Sequence, residues 1–163
     1  MQDLIVQAID KEQLALAYPL VRSATRVSLE RWEQFGGELV SDGGGVLAVV
    51  SPDNCVHGVA AYRPGRNLRH EQSLDVEVIV AFDLQGGDRV RSALCDELER
   101  IASMLGCSAV NFTVAAKSAE PASRARSRLE RLGLKFDTAS FVRELPEERA
   151  RRGNRPLARR RRR

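Results

Sequence analysis

Two carboxylates lie two residues apart in a run rich in β-branched residues, Leu74 to Phe82. Residues at positions i and i+2 of a strand lie on the same face, so Asp75 and Glu77 would be neighbours. In a cleft, each negative charge would disfavour ionisation of the other, which suits a general base. The pattern also fits a second interpretation, in which both carboxylates are the solvated face of a strand whose apolar face is Leu74, Val76, Val78 and Val80.

A glycine turn follows this run of residues. Gln85, Gly86 and Gly87 precede a helical pattern that starts at Asp88. A strand, a glycine turn and a helix together direct backbone N–H groups and the positive end of the helix dipole at a phosphate. Asp88 is the expected N-cap, and its carboxylate would take amides that a diphosphate needs, whereas Arg89 partly offsets that charge. A plain strand-to-helix turn is the alternative interpretation.

The remaining patterns predict a mixed sheet between helices. We predict strands over Leu4–Ile9, Val46–Val50, Val56–Arg63, Leu74–Phe82, Ala109–Val114 and Ala139–Leu145. We predict helices from Asp10, from Ser28 through Phe35, from Asp88 and over Pro121–Leu132. Gly36-Gly37 should end the second helix, and Pro19 should kink or split the first. Hairpins that precede a βαβ-like unit favour an α/β fold of the α+β type with helices on both faces of the sheet.

This order of elements, together with short motifs, resembles the GNAT N-acetyltransferase superfamily across residues 3–145. The family's cofactor loop has the pattern Gln/Arg-x-x-Gly-x-Gly/Ala after the fourth strand. Gln85 matches its first position, whereas Asp88 and Val90 replace the fourth and sixth. A second family pattern, Asn-x-x-Ala-x-x-x-Tyr before Gly-Phe, is matched at Ala125 and Gly133, and it is lost at Ala122, Leu129 and Leu134. The chain is thus similar to a divergent member of the family.

The resemblance implies a central, mostly antiparallel sheet and acetyl-CoA, or a related acyl-CoA, as co-substrate. Backbone N–H groups of the fourth strand, here around Val80, would polarise the acyl carbonyl and hold the pantetheine arm. The diphosphate would bind the loop made here of Gln85, Gly86, Gly87, Asp88, Arg89 and Val90. Glu77, with Asp75 beside it, would act as general base. Leu129 replaces the usual tyrosine acid, so that Tyr62 or a water would have to substitute.

Charge separates the chain into two parts. Residues 1–145 contain 17 Lys and Arg against 20 Asp and Glu, whereas residues 146–163 contain nine Arg and two Glu and end in ARRRRR. We therefore predict one domain over 1–145 and a disordered Arg-rich tail over 146–163, because such a block repels itself and has few apolar residues to bury. The tail is either an arm for non-specific binding of nucleic acid or another polyanion, or a solvated tail without a partner.

Composition argues against several classes of protein. No apolar run is long enough to span a membrane, and the first residues lack a signal-peptide pattern. We therefore expect a cytoplasmic, bacterial-type protein without membrane association. Three cysteines without a CxxC pair and only two histidines predict neither a disulfide framework nor a metal site.

Two hypotheses about function follow. The first is an acyl-CoA-dependent N-acyltransferase that transfers acetyl from acetyl-CoA to an amine by direct attack, with the acceptor and a homodimeric state left open. The second is a non-catalytic GNAT-fold binding module that docks on nucleic acid or another acidic partner through its Arg tail. The surviving glycine turn favours the first hypothesis, which we adopt. The altered motif positions favour the second: they are Asp88, Val90, Ala122 and Leu129.

Overall fold

The protein, as a computed structural model, is described over residues 4–83 and 87–145. The strands are β1 (Ile5–Ile9), β2 (Gly45–Val50), β3 (Val56–Gly65), β4 (Ser73–Ala81) and β5 (Ala109–Phe112). The helices are α1 (Leu14–Thr25), α2 (Leu29–Ser41), α3 (Arg89–Met104), α4 (Ala116–Ala119) and α5 (Arg124–Arg131). The first five predicted strands are confirmed to within a few residues.

The five strands form one mixed sheet in the order β1-β2-β3-β4-β5. Neighbouring strands from β1 to β4 are antiparallel, and β5 lies parallel to β4. α3 is the crossover between the two parallel strands, as a βαβ unit requires. The predicted class, a mostly antiparallel mixed sheet, is confirmed.

Both faces of the sheet are buried, because residues of β2 and β3 alternate between two hydrophobic clusters. On one face, α1 and α2 cover Val46, Ala48, Val59 and Ala61. On the other face, α3 covers Leu47, Val49 and Ala60. The buried indole N–H of Trp32 in α2 also donates to the carbonyl of Leu14 in α1 at 2.9 Å, which joins the two helices of the first face. Helices on both faces of the sheet are thus confirmed.

A β-bulge at Glu77 changes the faces of β4. Ala61 and Tyr62 are consecutive on β3, yet they pair with Val78 and Val76 of β4. Glu77 is therefore the extra residue, and the alternation of side chains is reversed beyond it. Val76 packs on the α3 side, whereas Val78 packs on the α1–α2 side. The expected single apolar face of Leu74, Val76, Val78 and Val80 is therefore wrong.

Two helices are more continuous than the sequence suggested. α1 contains Pro19 and is not split by it. α2 continues to Ser41 instead of ending at Gly36-Gly37. A Cβ on Gly36 would lie 2.5 Å from Leu14 Cδ1, so this glycine serves the close approach of α1 and α2 and not a helix end.

The C-terminal part departs most from the prediction. α5 begins at Arg124 and not at Pro121. Neither α4 nor α5 contains a buried residue. Ala139–Leu145 do not form the predicted strand, and Phe141 and Val142 are exposed. Strand-forming residues make a strand only where a neighbouring strand and a core cover them, and none in the described part of the chain does so here. The predicted tail, residues 146–163, lies outside the described residues.

In residues 4–83 and 87–145, no helix combines the length and apolar composition that crossing a membrane requires. Cys55 is exposed, Cys95 is buried and Cys107 is half-buried, and all three are free thiols. Burial raises the pKa of the Cys95 thiol to about 11. The described residues contain no cluster of three or more His, Cys, Asp or Glu placed to hold a metal ion.

Candidate active site

Glu77 lies at the bulge, at the point where β4 and β5 separate. Its Oε1 is 2.5 Å from Nη2 of Arg63, and Nη1 of the same guanidinium is 3.6 Å from Oδ2 of Asp42. The Glu77 side chain is 27% exposed. Because Arg63 is divided between two partly exposed carboxylates, the ion pair is weak enough to be replaced by another cation. Glu77 is therefore placed to accept a proton from a group that arrives on the α1–α2 side.

Asp75 has a structural environment. Its Oδ1 accepts hydrogen bonds from the Ser73 hydroxyl at 3.0 Å and from the Asn111 side-chain amide of β5 at 2.9 Å. A Cβ on Gly65 would overlap the other carboxylate oxygen, so Asp75 also packs against the backbone of β3. The predicted pair of catalytic carboxylates is not formed, because Asp75 is used to join three strands and Glu77 has Arg63 as its partner.

Beyond the bulge, β4 loses the strand on one side. In the described part of the chain, β5 pairs with β4 only from Ser73 to Val76. The Thr113 amide then donates to the Val76 carbonyl at 2.9 Å, and the pairing ends there. On its other side, β4 stays paired with β3 as far as Ala81. The second half of β4 therefore presents a backbone edge to an opening between β4 and β5.

Backbone alternation determines which residues point to this open edge. The amide of Phe82, the residue after β4, donates to the carbonyl of His57 in β3 at 2.8 Å. Because antiparallel residues alternate between pointing toward and away from the partner strand, Val80 directs its backbone groups to β3 as well. Ile79 and Ala81 direct theirs to the open edge. The expectation of a backbone contact through Val80 is corrected to these two neighbours.

A groove of about 790 Å³ opens on the same side of the sheet as Glu77. The first residues of α1, the second half of α2, and one end of β2 and β3 surround it. Its charged lining contains three acids and two bases, which are Asp10, Glu38, Asp42, Lys11 and Arg63. Arg63 lines the groove and also contacts Glu77, so this side chain connects the groove to the carboxylate.

Both tyrosines are occupied away from Glu77. Tyr62 packs against the cluster on the α3 side, which is the opposite face of the sheet. Burial there, with the charge of Glu97 nearby, raises the pKa of its phenol. The Tyr18 hydroxyl donates to the Val27 carbonyl at 3.0 Å. Tyr62 is therefore not placed to replace the missing general acid, and water is the remaining candidate.

The start of α3 is capped differently from the prediction. Asp88 is the N-cap residue, but its side chain accepts no capping hydrogen bond. The Val90 amide instead donates to Oδ1 of Asp83, seven residues earlier in the chain, at 3.0 Å. The expectation that Asp88 takes the first helix amides is therefore wrong. Val90 itself is a core residue, 3% exposed.

Asp88 binds α5 instead of the helix amides. Its Oδ2 accepts a hydrogen bond from Nη2 of Arg131 at 3.0 Å, and its Oδ1 is 3.8 Å from Nε of Arg128. Gly87 and Arg89 flank Asp88 in the chain. Four of the six predicted loop residues, Gly87 to Val90, thus lie at the start of α3. The other two, Gln85 and Gly86, lie outside the described residues.

A serine, a histidine and an aspartate meet at the β2–β3 turn, but not as a catalytic triad. The Ser51 hydroxyl is 2.9 Å from His57 Nε2 and also contacts Asp53. In a nucleophilic triad, the histidine lies between the carboxylate and the serine. Here the serine is in the middle and is only 4% exposed. The cluster therefore stabilises the turn between β2 and β3.

Sequence reasoning missed four residues of this region. Arg63, Asp83, Arg128 and Arg131 contact the predicted site residues. A usable signal existed for Asp83, since an Asp that precedes a glycine turn can reach the amides of the helix beyond it. No local pattern identifies the two α5 arginines, because Arg131 is 43 residues from Asp88 in the chain.

No protein-family model matches the chain, and no curated protein is significantly similar to it in sequence. Solved structures do match. An acetyltransferase from Trypanosoma brucei shares 17% identity and a TM-score of 0.68, covering 88% of this chain and 100% of its own. An aminoglycoside N-acetyltransferase, AAC(6′)-Iy in complex with CoA, shares 13% identity and a TM-score of 0.73, covering 88% and 96%.

A third match is a ribosomal-protein-alanine N-acetyltransferase from Brucella melitensis biovar Abortus, with 16% identity, a TM-score of 0.67, and coverage of 88% of this chain and 100% of its own. A GNAT family acetyltransferase from Staphylococcus aureus matches with a TM-score of 0.65 at 13% identity, over 89% and 100% of the two chains. These matches share the mixed sheet and its covering helices with this protein at low sequence identity. The chain is a divergent protein with the fold of the GNAT N-acetyltransferases.

Proposed function

We propose that this protein transfers an acyl group, acetyl from acetyl-CoA, to an amine. The observation that carries the proposal is the opening between β4 and β5, where a bulge, an unpaired backbone edge and the carboxylate of Glu77 meet. The similar structures support it, since two are named N-acetyltransferases, one of them in complex with CoA, and a third is named an acetyltransferase.

The open edge of β4 suits an acyl-CoA. The pantetheine arm contains two amide groups, and an extended amide chain binds a strand edge as an additional strand does. Ile79 and Ala81 would supply the donors and acceptors for it. The phosphates would then lie near the start of α3, where the helix dipole and Arg89 favour negative charge. Gln85, Gly86 and Gly87 keep their predicted place in the phosphate loop as part of this proposal.

The chemistry requires one proton acceptor and one oxyanion site. The amine nitrogen attacks the thioester carbonyl carbon, and backbone N–H groups at the edge of β4 stabilise the negative charge that develops on oxygen. Glu77 takes the proton that nitrogen loses, directly or through a water. The carbon–sulfur bond breaks, its electron pair stays on sulfur, and the thiolate takes a proton from water, because both tyrosines are engaged elsewhere.

The groove beside Arg63 is the proposed entry for the amine. Its lining carries an excess of acidic side chains, which favours a positively charged acceptor. The acceptor's ammonium group would replace the Arg63 guanidinium at Glu77, lose one proton to solvent to become the neutral nucleophile, and give its second proton to Glu77 as it attacks. Arg63 would keep its second partner, Asp42, 3.6 Å away.

The test combines binding and turnover on the full chain. A ligand at about 100 times its dissociation constant adds roughly 2.7 kcal/mol to the free energy of unfolding, so acetyl-CoA should raise the melting temperature by several degrees. A panel of amines should then give amine-dependent release of CoA thiol. ATP at the same concentration is the control for non-specific binding of a polyanion. The proposal fails if ATP stabilises as much as acetyl-CoA, or if neither stabilises.

Binding without turnover would favour the alternative hypothesis. A non-catalytic module with this fold can bind acyl-CoA and still release no thiol with any amine of the panel. The panel should contain diamines, amino acids, an aminoglycoside and peptides with a free N-terminus. The acidic groove favours a positively charged acceptor but does not select one class of amine.

A further inference from the structure

We infer that Arg128 and Arg131 of α5 form a phosphate-binding site for the acyl-CoA co-substrate, and that Asp88 holds the two guanidinium groups in position. The inference rests on the proposed function, since it deepens the co-substrate site. The shared chemistry of the ligand is a phosphate ester, which CoA carries both as a diphosphate and as a 3′-phosphate.

The geometry places two cations on one side of one carboxylate. Arg128 and Arg131 are three residues apart on α5 and therefore lie on one face of the helix. Both reach Asp88, at 3.8 and 3.0 Å. The arginine side chains are 49% and 62% exposed, whereas Asp88 is 23% exposed. The carboxylate is thus covered, and the N–H donors of the two guanidinium groups that do not bind it remain accessible to a ligand.

Positive charge exceeds negative charge at the start of α3, even with the carboxylates of Asp83 and Asp88 beside it. The first turn of α3 contains no acidic residue, and it contains Arg89 and Arg91. A helix N-terminus carries a partial positive charge, so cations there oppose the helix dipole. Adding Arg128 and Arg131 leaves an excess of positive charge around Asp88. A phosphate beside these arginines would relieve that repulsion, which a purely structural ion pair does not do.

The arginines are not needed to cover a core. No residue of α5 is buried, so the aliphatic part of Arg128 or Arg131 has little apolar surface to shield. Arg126, on the same helix, differs: its side chain binds Glu130 at 2.8 Å and lies over the ring of Phe136. Arg126 thus has structural partners close to it in the chain, whereas the side chains of Arg128 and Arg131 form ion pairs only with the start of α3 in the described residues.

The site also accounts for the altered cofactor motif. Position 88 carries an aspartate and position 90 a buried valine, whose amide is bound by Asp83. One amide that would face a phosphate is therefore already used. Side-chain cations supply charge-assisted hydrogen bonds in place of a backbone contact, and arginine can bind a phosphate through two of them.

The experiment is calorimetric titration of the full chain with CoA, 3′-dephospho-CoA and pantetheine at one low salt concentration. Arg131→Gln should weaken CoA binding ~5- to 10-fold, the scale of one partly exposed ionic contact. Arg22→Gln on α1, on the other face of the sheet, is the charge-matched control and should change CoA affinity less than about two-fold. If the loss vanishes with 3′-dephospho-CoA, Arg131 binds the 3′-phosphate, and if it persists, Arg131 binds the diphosphate. Pantetheine should bind the variant and the parent protein equally.

A double variant separates direct binding from an indirect effect. Arg131→Gln alone also uncovers the charge of Asp88, which would repel a phosphate. Arg131→Gln combined with Asp88→Asn removes that charge, and its CoA affinity should stay below that of the Asp88→Asn variant. Recovery of the parent affinity in the double variant overturns the inference, as does an unchanged affinity in Arg131→Gln. If the variants bind CoA weakly as expected while the parent protein shows no amine-dependent turnover, that result would reject the acyltransferase proposal and still support the phosphate site.

Discussion

The two ends of the second half of β4 are built by different means. At the bulge end, Glu77 is placed by strand register, and two packed clusters hold that register on both faces of the sheet. At the loop end, Asp83 and Asp88 are placed by hydrogen bonds and ion pairs to α3 and to α5, a helix without buried residues. The bulge end is therefore fixed by the core, and the loop end by charge near the surface.

This difference predicts how each end responds to change. A substitution at the bulge end should alter either chemistry or packing, with large effects on turnover or on the free energy of unfolding. A substitution at the loop end should act through partly exposed charges, which contribute less and are screened by salt.

Glu77→Gln should lower turnover about 10²-fold or more, the usual scale for loss of a general base. CoA affinity should be unchanged, because the backbone edge and the phosphate contacts remain. The measurement is steady-state release of CoA thiol, with affinity from titration. Asp75→Asn is the matched control, since an amide oxygen can still accept the bonds from Ser73 and Asn111. A control variant as slow as Glu77→Gln would contradict the separate roles given to these two residues.

The fold was predictable wherever burial leaves a local pattern. The first five strands and the helix from Asp88 were predicted because their apolar residues alternate or repeat along the chain. The bulge was not, because an extra residue in β4 is defined only by its pairing with β3. The last predicted strand, Ala139–Leu145, lacks such a regular pattern, and its exposed Phe141 and Val142 show that no core covers it.

The candidate site was predictable in its chain positions and not in its contacts. Glu77 was identified from its place in a strand, but its partner Arg63 comes from a neighbouring strand. Two aspartates flank the predicted glycine turn in the sequence, and only the hydrogen bonds of the folded protein show that Asp83, and not Asp88, bonds to the Val90 amide. Ion pairs between residues that are distant in the chain depend on tertiary packing. No local spacing in the sequence predicts them.

Gly36 and Gly37 test whether the bulge end is fixed by packing, because both line the groove and are adjacent in α2. Gly36→Ala should cost roughly 1–3 kcal/mol of unfolding free energy, since its Cβ would lie 2.5 Å from Leu14 Cδ1 in the buried core. Gly37→Ala should stabilise by up to about 1 kcal/mol, because nothing lies within 4 Å of its Cβ and alanine favours a helix. Denaturant unfolding measures both, and equal stabilities would contradict the close packing of α1 on α2.

Asp83 and Asp88 test the loop end. Asp83→Ala should cost about 1 kcal/mol of unfolding free energy, because the Val90 amide loses its capping acceptor. Asp88→Ala should cost only a few tenths of a kcal/mol, because the arginines it binds are about half exposed or more. The cost of Asp88→Ala should also shrink in high salt, whereas that of Asp83→Ala should persist. The reverse order of the two costs would restore Asp88 as the helix cap.

The smallest effect on the folded domain is expected from removal of the tail. This truncation also tests whether the tail or α5 binds the phosphates of CoA. Truncation after Leu145 should change the melting temperature by less than about 1 °C, since residues 146–163 have few apolar side chains to bury. CoA affinity should also stay within about two-fold of the full chain at moderate salt, because the phosphate contacts are assigned to α5. Binding to a random DNA duplex should be lost with the tail, and in the full chain it should weaken steeply with salt. A truncated protein that binds CoA much more weakly would move the phosphate contacts from α5 to the tail. Equal DNA affinity with and without the tail would remove its proposed role as a polyanion-binding arm.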